Sequence, residues 1–232
     1  MTAPILIYMR LGWPLTGRSK EMRLLEAALS DRDCSGIVVC GAAGVGKSRI
    51  AHEAMTSAES TGCAVRWVVA TSSARALPLG ALSSWAGPAG GDSLQQVRGV
   101  IESLTSAPNG APVVVGVDDA PLLDDLSIFV VHQIVQCGGA KVVFTVRDGE
   151  PVPAAVQELW KEGGFDRLEL QPLSRDDTAT LLSATLGGSL DPAVAVRMWE
   201  LTRGNVLYLQ HCGAGGHRGA AGTAARSLAV AR

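Results

Sequence analysis

The sequence predicts an α/β fold: a three-layer sandwich with a mostly parallel five-stranded sheet, followed by a small helical annex. Five short runs of strand-forming residues, four of them rich in Val or Ile, alternate along the chain with segments long enough to form helices. Because these runs are continuously apolar rather than alternating with polar residues, the strands are expected to be buried on both faces, as in a parallel sheet. The alternation of strand and helix is typical of doubly wound α/β domains.

The predicted strands cover residues 37–40, 65–70, 113–117, 141–146 and 167–170, and the predicted crossover helices cover residues 47–60, 93–106, 126–137 and 153–163. Asp124 and Asp125 precede the third of these helices, and one of them is predicted to cap it. After the fifth strand, helix follows helix, with Ser174 and Asp191 as predicted N-caps. These later helices form the predicted annex.

Composition divides the chain into an N-terminal arm (residues 1–13), a core (14–172), a helical annex that begins a lid (173–211) and a tail (212–232). Twelve of the 21 tail residues are Gly or Ala, three are Arg and none is acidic. Such a segment cannot bury enough apolar surface to offset the entropy lost on ordering, so we predict that the tail is disordered. A frame-shifted or truncated reading of a longer gene and a basic tail that binds RNA or membranes are the two explanations considered for it.

Charge and cysteine content exclude several classes of protein. The formal net charge is −2, which gives no general argument for nucleic-acid binding. The five cysteines are scattered without a Cys-x-x-Cys pair, so neither a disulfide framework nor a zinc site is indicated. No apolar run reaches the ~18 residues of a membrane-spanning helix, and the first residues do not resemble a signal peptide. We therefore expect a cytoplasmic protein that makes no contact with a membrane.

A glycine-rich segment directly follows the first predicted strand and opens the first predicted crossover helix. It matches the pattern G-x-x-x-x-G-K-[ST] and reads Gly41-Ala42-Ala43-Gly44-Val45-Gly46-Lys47-Ser48. In such a loop, backbone N–H groups and the positive end of the helix surround a phosphate group. We predict that the segment, with Arg49 after it, binds a nucleotide, that Lys47 reaches its β- and γ-phosphates, and that Ser48 binds Mg²⁺.

This segment has two interpretations other than a phosphate-binding loop. A dinucleotide-binding turn requires G-x-G-x-x-G, whereas the glycines here are spaced G-x-x-G-x-G and are followed by Lys. The remaining interpretation is a glycine-rich turn that carries a lysine by chance. The position of the segment between a predicted strand and a predicted helix favours a P-loop, the phosphate-binding loop of nucleoside triphosphatases (NTPases).

Acidic and basic side chains end two further strands. Asp118 and Asp119 follow the third strand; Asp118 is predicted to hold Mg²⁺ through water, and Asp119 to orient the attacking water. Alternatively, the two acids only begin a turn or cap a helix. Arg147 ends the fourth strand and is the candidate sensor of the γ-phosphate, with Thr145 as the second candidate. The alternative for Arg147 is a surface ion pair.

At this point the sequence resembles a known family, the signal-transduction ATPases with numerous domains (STAND), a class of AAA-like P-loop ATPase. The nearest branch is that of the large ATP-binding transcriptional regulators of the LuxR type. The resemblance covers about residues 14–211 and depends on Thr16-Gly17-Arg18 with Glu21 and Leu25, the P-loop, Asp118-Asp119, Arg147, residues 167–174 and Arg203-Gly204-Asn205.

The resemblance implies that Gly17, Arg18 and the Pro172-Leu173 turn lie against the adenine of ATP. It also implies oligomerisation and further C-terminal regulatory and DNA-binding domains. Two positions depart from the family pattern: Leu122 replaces an aromatic residue, and Val206 replaces a proline expected near the nucleotide. Nothing in residues 212–232 resembles a DNA-binding element, so this chain is expected to make no direct contact with DNA.

The expected function is an ATP-binding, slowly ATP-hydrolysing regulatory switch module that lacks the DNA-binding part. Its predicted partners are the nucleotide and either further copies of the chain or C-terminal regulatory domains. No arginine finger is assignable, and such an arginine accelerates phosphoryl transfer by ~10³ to 10⁵. The alternatives are a nucleotide-binding module that does not hydrolyse ATP, a fragment without function, and a small-molecule kinase.

Overall fold

The computed structural model describes residues 13–87 and 92–215. These residues form two compact units. The strand unit contains Lys20–Ala43 and Lys47–Leu170. The annex unit contains residues 13–19, Gly44–Gly46 and residues 171–215. The predicted N-terminal arm, apart from Trp13, and residues 216–232 of the predicted tail lie outside the described residues.

The sheet of the strand unit has five strands in the order β2-β3-β4-β1-β5, and every neighbouring pair is parallel. The strands are β1 Gly36–Gly41, β2 Ala64–Val69, β3 Val113–Asp118, β4 Lys141–Arg147 and β5 Phe165–Glu169. The prediction of an α/β fold with a five-stranded sheet is confirmed, and the sheet is entirely rather than mostly parallel. Strand β4 lies between β1 and β3, so the strands before the P-loop and before the two acids are not neighbours.

Five helices belong to the strand unit: α1 Ser19–Ser30, α2 Lys47–Ser60, α3 Ser93–Thr105, α4 Asp125–Gln136 and α5 Ala154–Glu162. The four crossover helices agree with the prediction to within one residue at each end, a difference within the usual uncertainty of helix boundaries. The predicted cap of α4 is Asp124, whose carboxylate accepts hydrogen bonds from the backbone N–H of Ser127 and of Leu79. Helix α1 was not predicted.

The alternation of side chains between the two faces of the sheet explains the layers of the strand unit. Successive side chains of a strand point to opposite faces of the sheet. Val115, Val117 and Phe144 belong to the same buried apolar cluster as residues of α3, α4 and α5. Gly116 points to the other face, where a Cβ atom would meet the Trp67 ring and the Met55 sulfur of α2 at 2.3–2.5 Å. The strand unit is therefore a three-layer sandwich, as predicted.

The annex unit contains three further helices: α6 Arg175–Leu186, α7 Pro192–Thr202 and α8 Val206–Gly215. The side chains of Ser174 and Asp191 accept N-cap hydrogen bonds, as predicted. The small core of the annex unit consists of Leu173, Leu181, Leu182 and Leu209, with Trp13, Leu190, Met198 and Val206 packed against it. Helix α8 continues to Gly215 and so includes residues 212–215, the first four residues of the predicted tail.

Two glycines of the annex unit allow a matched stability test. Gly204 has φ +75°, and a Cβ atom there would lie 2.0 Å from the Leu173 carbonyl oxygen. Gly187 has φ +70°, and a Cβ atom there would have no heavy atom within 4 Å. Both replacements with Ala incur the cost of the left-handed backbone, but only Gly204→Ala adds a clash with backbone.

We expect Gly204→Ala to destabilise the annex helices by about 1–3 kcal/mol more than Gly187→Ala does. Amide hydrogen exchange in α7 and α8 measures this difference directly, because it reports local opening. Equal protection in the two variants would contradict the close approach of Gly204 to Leu173.

None of the helices in the described ranges is both long and apolar enough to cross a bilayer.

Candidate nucleotide-binding site

The predicted P-loop connects β1 to α2, and α2 begins at Lys47. Gly44 and Gly46 have φ +79° and +102°, conformations that glycine adopts at little cost. The glycines of the motif are therefore needed for the path of the backbone. The side chains of Ala42, Ala43 and Ser48 are exposed, whereas Val45 and Lys47 are buried.

The Lys47 ammonium contacts the backbone of its own loop. Its Nζ donates hydrogen bonds of 2.9 Å to the carbonyl oxygens of Gly41 and Ala42. Burial lowers the pKa of Lys47 from its ordinary value of 10.5, although the nearby Asp119 carboxylate opposes this shift. The ammonium is thus held at the loop by two weak acceptors, in an environment where a negatively charged ligand would stabilise it.

Ser48 and Asp118 are brought together from separate elements. The Ser48 hydroxyl, in the first turn of α2, donates a 2.7 Å hydrogen bond to Oδ1 of Asp118 at the end of β3. Mg²⁺ in phosphate-binding sites is held by one or two protein oxygen ligands, by phosphate oxygens and by water. A hydroxyl and a carboxylate at this separation are a suitable pair, so these residues fit the ion that the sequence predicts.

Asp119 adopts an unusual backbone conformation next to this pair. Its φ and ψ are 52° and 48°, in the left-handed region. Its backbone N–H donates a 2.9 Å hydrogen bond to Oγ1 of Thr145 in β4, and that hydroxyl donates a 2.5 Å hydrogen bond to Oδ1 of Asp118. Thr145 is completely buried. One threonine hydroxyl therefore joins the two predicted acids.

Arg147 forms a bidentate ion pair with Asp119. Its Nε lies 3.0 Å from Oδ1 and its Nη2 lies 2.7 Å from Oδ2 of the carboxylate. This hydrogen bonding and the negative charge of Asp119 raise the pKa of Arg147 above its ordinary value. Glu150 is a weaker partner, with 3.7 Å between its Oε1 and Nη1 of Arg147. A surface ion pair was the alternative role predicted for Arg147, but the sequence did not identify Asp119 as its partner.

The residues that the resemblance places at the adenine lie in the annex unit. Arg18 is buried, and its Nη2 donates hydrogen bonds to the carbonyl oxygens of Gln171 (2.6 Å) and Val45 (3.3 Å). Gly17 has φ +71°, and a Cβ atom there would lie 2.5 Å from the Asp177 carboxyl group. Arg18 therefore connects Val45 of the P-loop to Gln171, the residue before Pro172. Pro172 itself is exposed.

Asn205 and Leu207 also meet the P-loop, and the sequence did not assign them to the site. The Leu207 N–H donates a 3.1 Å hydrogen bond to the Gly44 carbonyl oxygen. Oδ1 of Asn205 accepts from the N–H of Leu207 and would lie 2.5 Å from a Cβ atom on Gly44. A Gly-Asn pair before an apolar run is typical of a helix N-cap, and the sequence shows this pattern at Gly204-Asn205. Arg49, the last predicted nucleotide-binding residue, pairs with Glu53 on α2 at 3.3 Å.

The family model described as "AAA ATPase domain" matches residues 14–146, which is more than half of the chain. The chain therefore belongs to the AAA ATPase domain family. No curated protein matches the chain significantly.

Solved structures share the fold at low sequence identity. The Aeropyrum pernix Orc1 protein, solved in complex with DNA, is 18% identical with a TM-score of 0.64, over 89% of this chain and 60% of Orc1. AMPPCP-bound DnaA from Aquifex aeolicus is 17% identical with a TM-score of 0.58, over 84% of this chain and 59% of DnaA. The RuvB branch migration motor of Thermotoga maritima is 14% identical with a TM-score of 0.51, over 82% of this chain and 57% of RuvB. The matched part is thus less than two thirds of each of these proteins.

Proposed function

We propose that this chain is an ATP-binding regulatory switch module that hydrolyses ATP slowly, as in STAND regulators of the LuxR type. The observation that carries the proposal is the hydrogen bond between Ser48 and Asp118. It joins the end of the P-loop to an acid on a strand that is not the neighbour of β1. A glycine-rich turn that had acquired a lysine by chance would have no reason to place a carboxylate against the next hydroxyl.

Each charged side chain then has a role in the proposal. Lys47 donates to the β- and γ-phosphate oxygens in place of the carbonyl groups that it now contacts. Ser48 directly and Asp118 through water would hold Mg²⁺, which would neutralise charge on the phosphates. Asp119 orients the attacking water and accepts its proton on a carboxylate oxygen. Arg147 contacts the γ-phosphate, and this requires it to leave Asp119.

Slow turnover follows from the state of Asp119. Both of its carboxylate oxygens accept hydrogen bonds from Arg147, so the proposed base is neutralised until that ion pair opens. We assign no arginine finger to the residues that the structure describes, and this arginine contributes ~10³ to 10⁵ in rate where it is present. The isolated chain is therefore expected to turn over below ~1 s⁻¹, the lower end of the range for kinases.

The same ion pair favours a second candidate function, a module that binds ATP without hydrolysing it. If Arg147 stays on Asp119 when ATP is bound, no base is available for the water. In this candidate the P-loop and the Mg²⁺ ligands keep their roles, and only the step at Asp119 is lost. The two candidates therefore share a binding site and differ in turnover.

Several further features of the proposal rest on the resemblance. Gly17, Arg18 and Pro172 would lie at the adenine, and Arg18 supports this because it connects Val45 of the P-loop to Gln171. The partners would be further copies of the chain or C-terminal regulatory domains, in the cytoplasm. Although the Orc1 structure contains DNA, the net charge of −2 here supports no direct DNA contact by this chain.

Ser48→Ala tests the role that the proposal gives to the Ser48 hydroxyl beside Asp118. We expect it to weaken ATP binding at least tenfold in the presence of Mg²⁺ and to leave ATP binding in EDTA close to that of the wild type, because the hydroxyl acts through the metal. Isothermal titration calorimetry with and without Mg²⁺ measures both affinities. The matched control is Ser60→Ala at the other end of α2, where the hydroxyl bonds only to the backbone of Ser57. Equal weakening with and without Mg²⁺ would refute the role given to Ser48.

A further inference from the structure

We infer that Thr145 is the residue that positions the two acids of the site, and that it is not a sensor of the γ-phosphate. The inference rests on the proposed function and extends it to a residue that would touch neither the nucleotide nor the metal. It concerns the orientation of Asp118 and the backbone of Asp119.

The hydrogen-bonding capacity of the Thr145 hydroxyl is the first argument. A hydroxyl has one proton to donate. In Thr145 this proton goes to Oδ1 of Asp118, at 2.5 Å, and a lone pair of the same oxygen accepts the Asp119 N–H. A phosphate oxygen only accepts hydrogen bonds. Thr145 has no second proton to offer it, and its side chain is completely buried in β4.

The second argument is the direction of Asp118. Its Oδ1 accepts hydrogen bonds from two hydroxyl groups, those of Ser48 and Thr145. Ser48 is a proposed metal ligand, whereas Thr145 holds the same carboxylate oxygen from β4, at a position that does not depend on the metal. Thr145 thereby fixes the rotation of the carboxylate before the ligand arrives, which is the kind of support that a metal ligand needs from its surroundings.

The third argument is the strained backbone of Asp119. A residue with a side chain is disfavoured in the left-handed region and stays there only where its surroundings hold it. The bond from the Asp119 N–H to Thr145 holds this turn at the end of β3. The turn directs the Asp119 carboxylate to Arg147 on β4. Loss of the hydroxyl would therefore displace both acids together.

Thr145→Val, which keeps the shape of the side chain and removes the hydroxyl, tests the inference in the full chain. Removing a hydrogen bond to a charged group is expected to raise the Mg²⁺ concentration for half-maximal ATP binding about tenfold or more. We expect kcat to fall by a similar factor where turnover is measurable, with KM at saturating Mg²⁺ changed less than threefold. Thr145→Ser, which keeps the hydroxyl, should restore both quantities to within about threefold of the wild type.

Thr202→Val is the matched control, because Thr202 is also buried and its hydroxyl bonds to the backbone of its own helix. It should leave the Mg²⁺ requirement unchanged. If Thr145→Val does not fold, Thr145→Ala replaces it, since the smaller side chain relieves any steric conflict while still lacking the hydroxyl.

The possible results separate the two proposals. Absence of ATP binding by the folded wild type would refute the proposed function. Normal binding by the wild type, together with an unchanged Mg²⁺ requirement in Thr145→Val, would overturn the inference alone. A changed preference for ATP over ADP at an unchanged Mg²⁺ requirement would also overturn it, because that is the behaviour of a γ-phosphate sensor.

Discussion

Replacing Lys47 with Met is expected to raise the dissociation constant for Mg²⁺-ATP at least 100-fold. The ammonium is the only charge on the P-loop itself, and charge-assisted hydrogen bonds to phosphate are among the strongest that a side chain makes. In the free protein, two carbonyl groups accept its protons at 2.9 Å, and these are poor substitutes for phosphate oxygens.

The fold should survive this change. Burial lowers the pKa of Lys47, so the folded state disfavours its charged form relative to the unfolded chain. Because the pKa is lowered, the charged form of Lys47 opposes folding at any pH below the ordinary value of 10.5, and removing the charge offsets the loss of the two hydrogen bonds to Gly41 and Ala42. Met keeps the buried aliphatic stem. We therefore expect Lys47→Met to unfold in denaturant at a concentration equal to or above that of the wild type.

Fluorescence titration with a labelled ATP analogue, alongside a urea unfolding curve, measures the two quantities separately. Lys161→Met is the matched control, because Lys161 is exposed in the last turn of α5 and is not part of the P-loop. Retention of ATP binding by a folded Lys47→Met protein would show that the nucleotide binds elsewhere.

Replacing Asp119 with Asn is expected to lower kcat by ~10²- to 10⁴-fold, the contribution of a general base, and to leave the affinity for ATP within a few fold of the wild type. Asn keeps the size of the side chain but cannot accept the proton of water. Its backbone N–H can still donate to Thr145, so the turn after β3 should persist. Steady-state phosphate release and equilibrium ATP binding are the two measurements needed.

Asp125→Asn is the matched control for this change. Asp125 is also a carboxylate that follows β3, but it is exposed in the first turn of α4. It should leave turnover unchanged. Turnover no higher than background in both Asp119→Asn and the wild type would favour the non-hydrolysing module, and wild-type turnover well above ~1 s⁻¹ would contradict slow hydrolysis.

Features that depend on local sequence were predictable. Apolar runs rich in Val or Ile located β1 to β4, and the segment at 167–170 located β5 with its start two residues late. The P-loop placed the start of α2 at Lys47, as observed. Helix α1 was missed although its segment is rich in the strong helix formers Glu, Met, Arg, Leu and Ala. Only Leu25 and Ala28 are buried in it, and its end is fixed by Lys141, whose Nζ donates to the carbonyl oxygens of Ala28, Asp31 and Cys34.

The same distinction applies to the site. The spacing of the P-loop and the position of Asp118 after an apolar run identify both motifs within a few residues. The pairing of Arg147 with Asp119 depends on the register of β3 against β4 and on side-chain conformations, which the sequence does not encode locally. The approach of Asn205 to Gly44 joins positions that are far apart in the chain, so only the fold brings them together.

The central claim is that this chain binds Mg²⁺-ATP at the P-loop, and calorimetric titration of the full chain with ATP in the presence of Mg²⁺ tests it most directly. We expect a single site with a dissociation constant on the order of micromolar, corresponding to about −8 kcal/mol. A folded protein, verified by circular dichroism in the same buffer, that gives no binding heat at several temperatures and no shift in its thermal unfolding with ATP would contradict the claim.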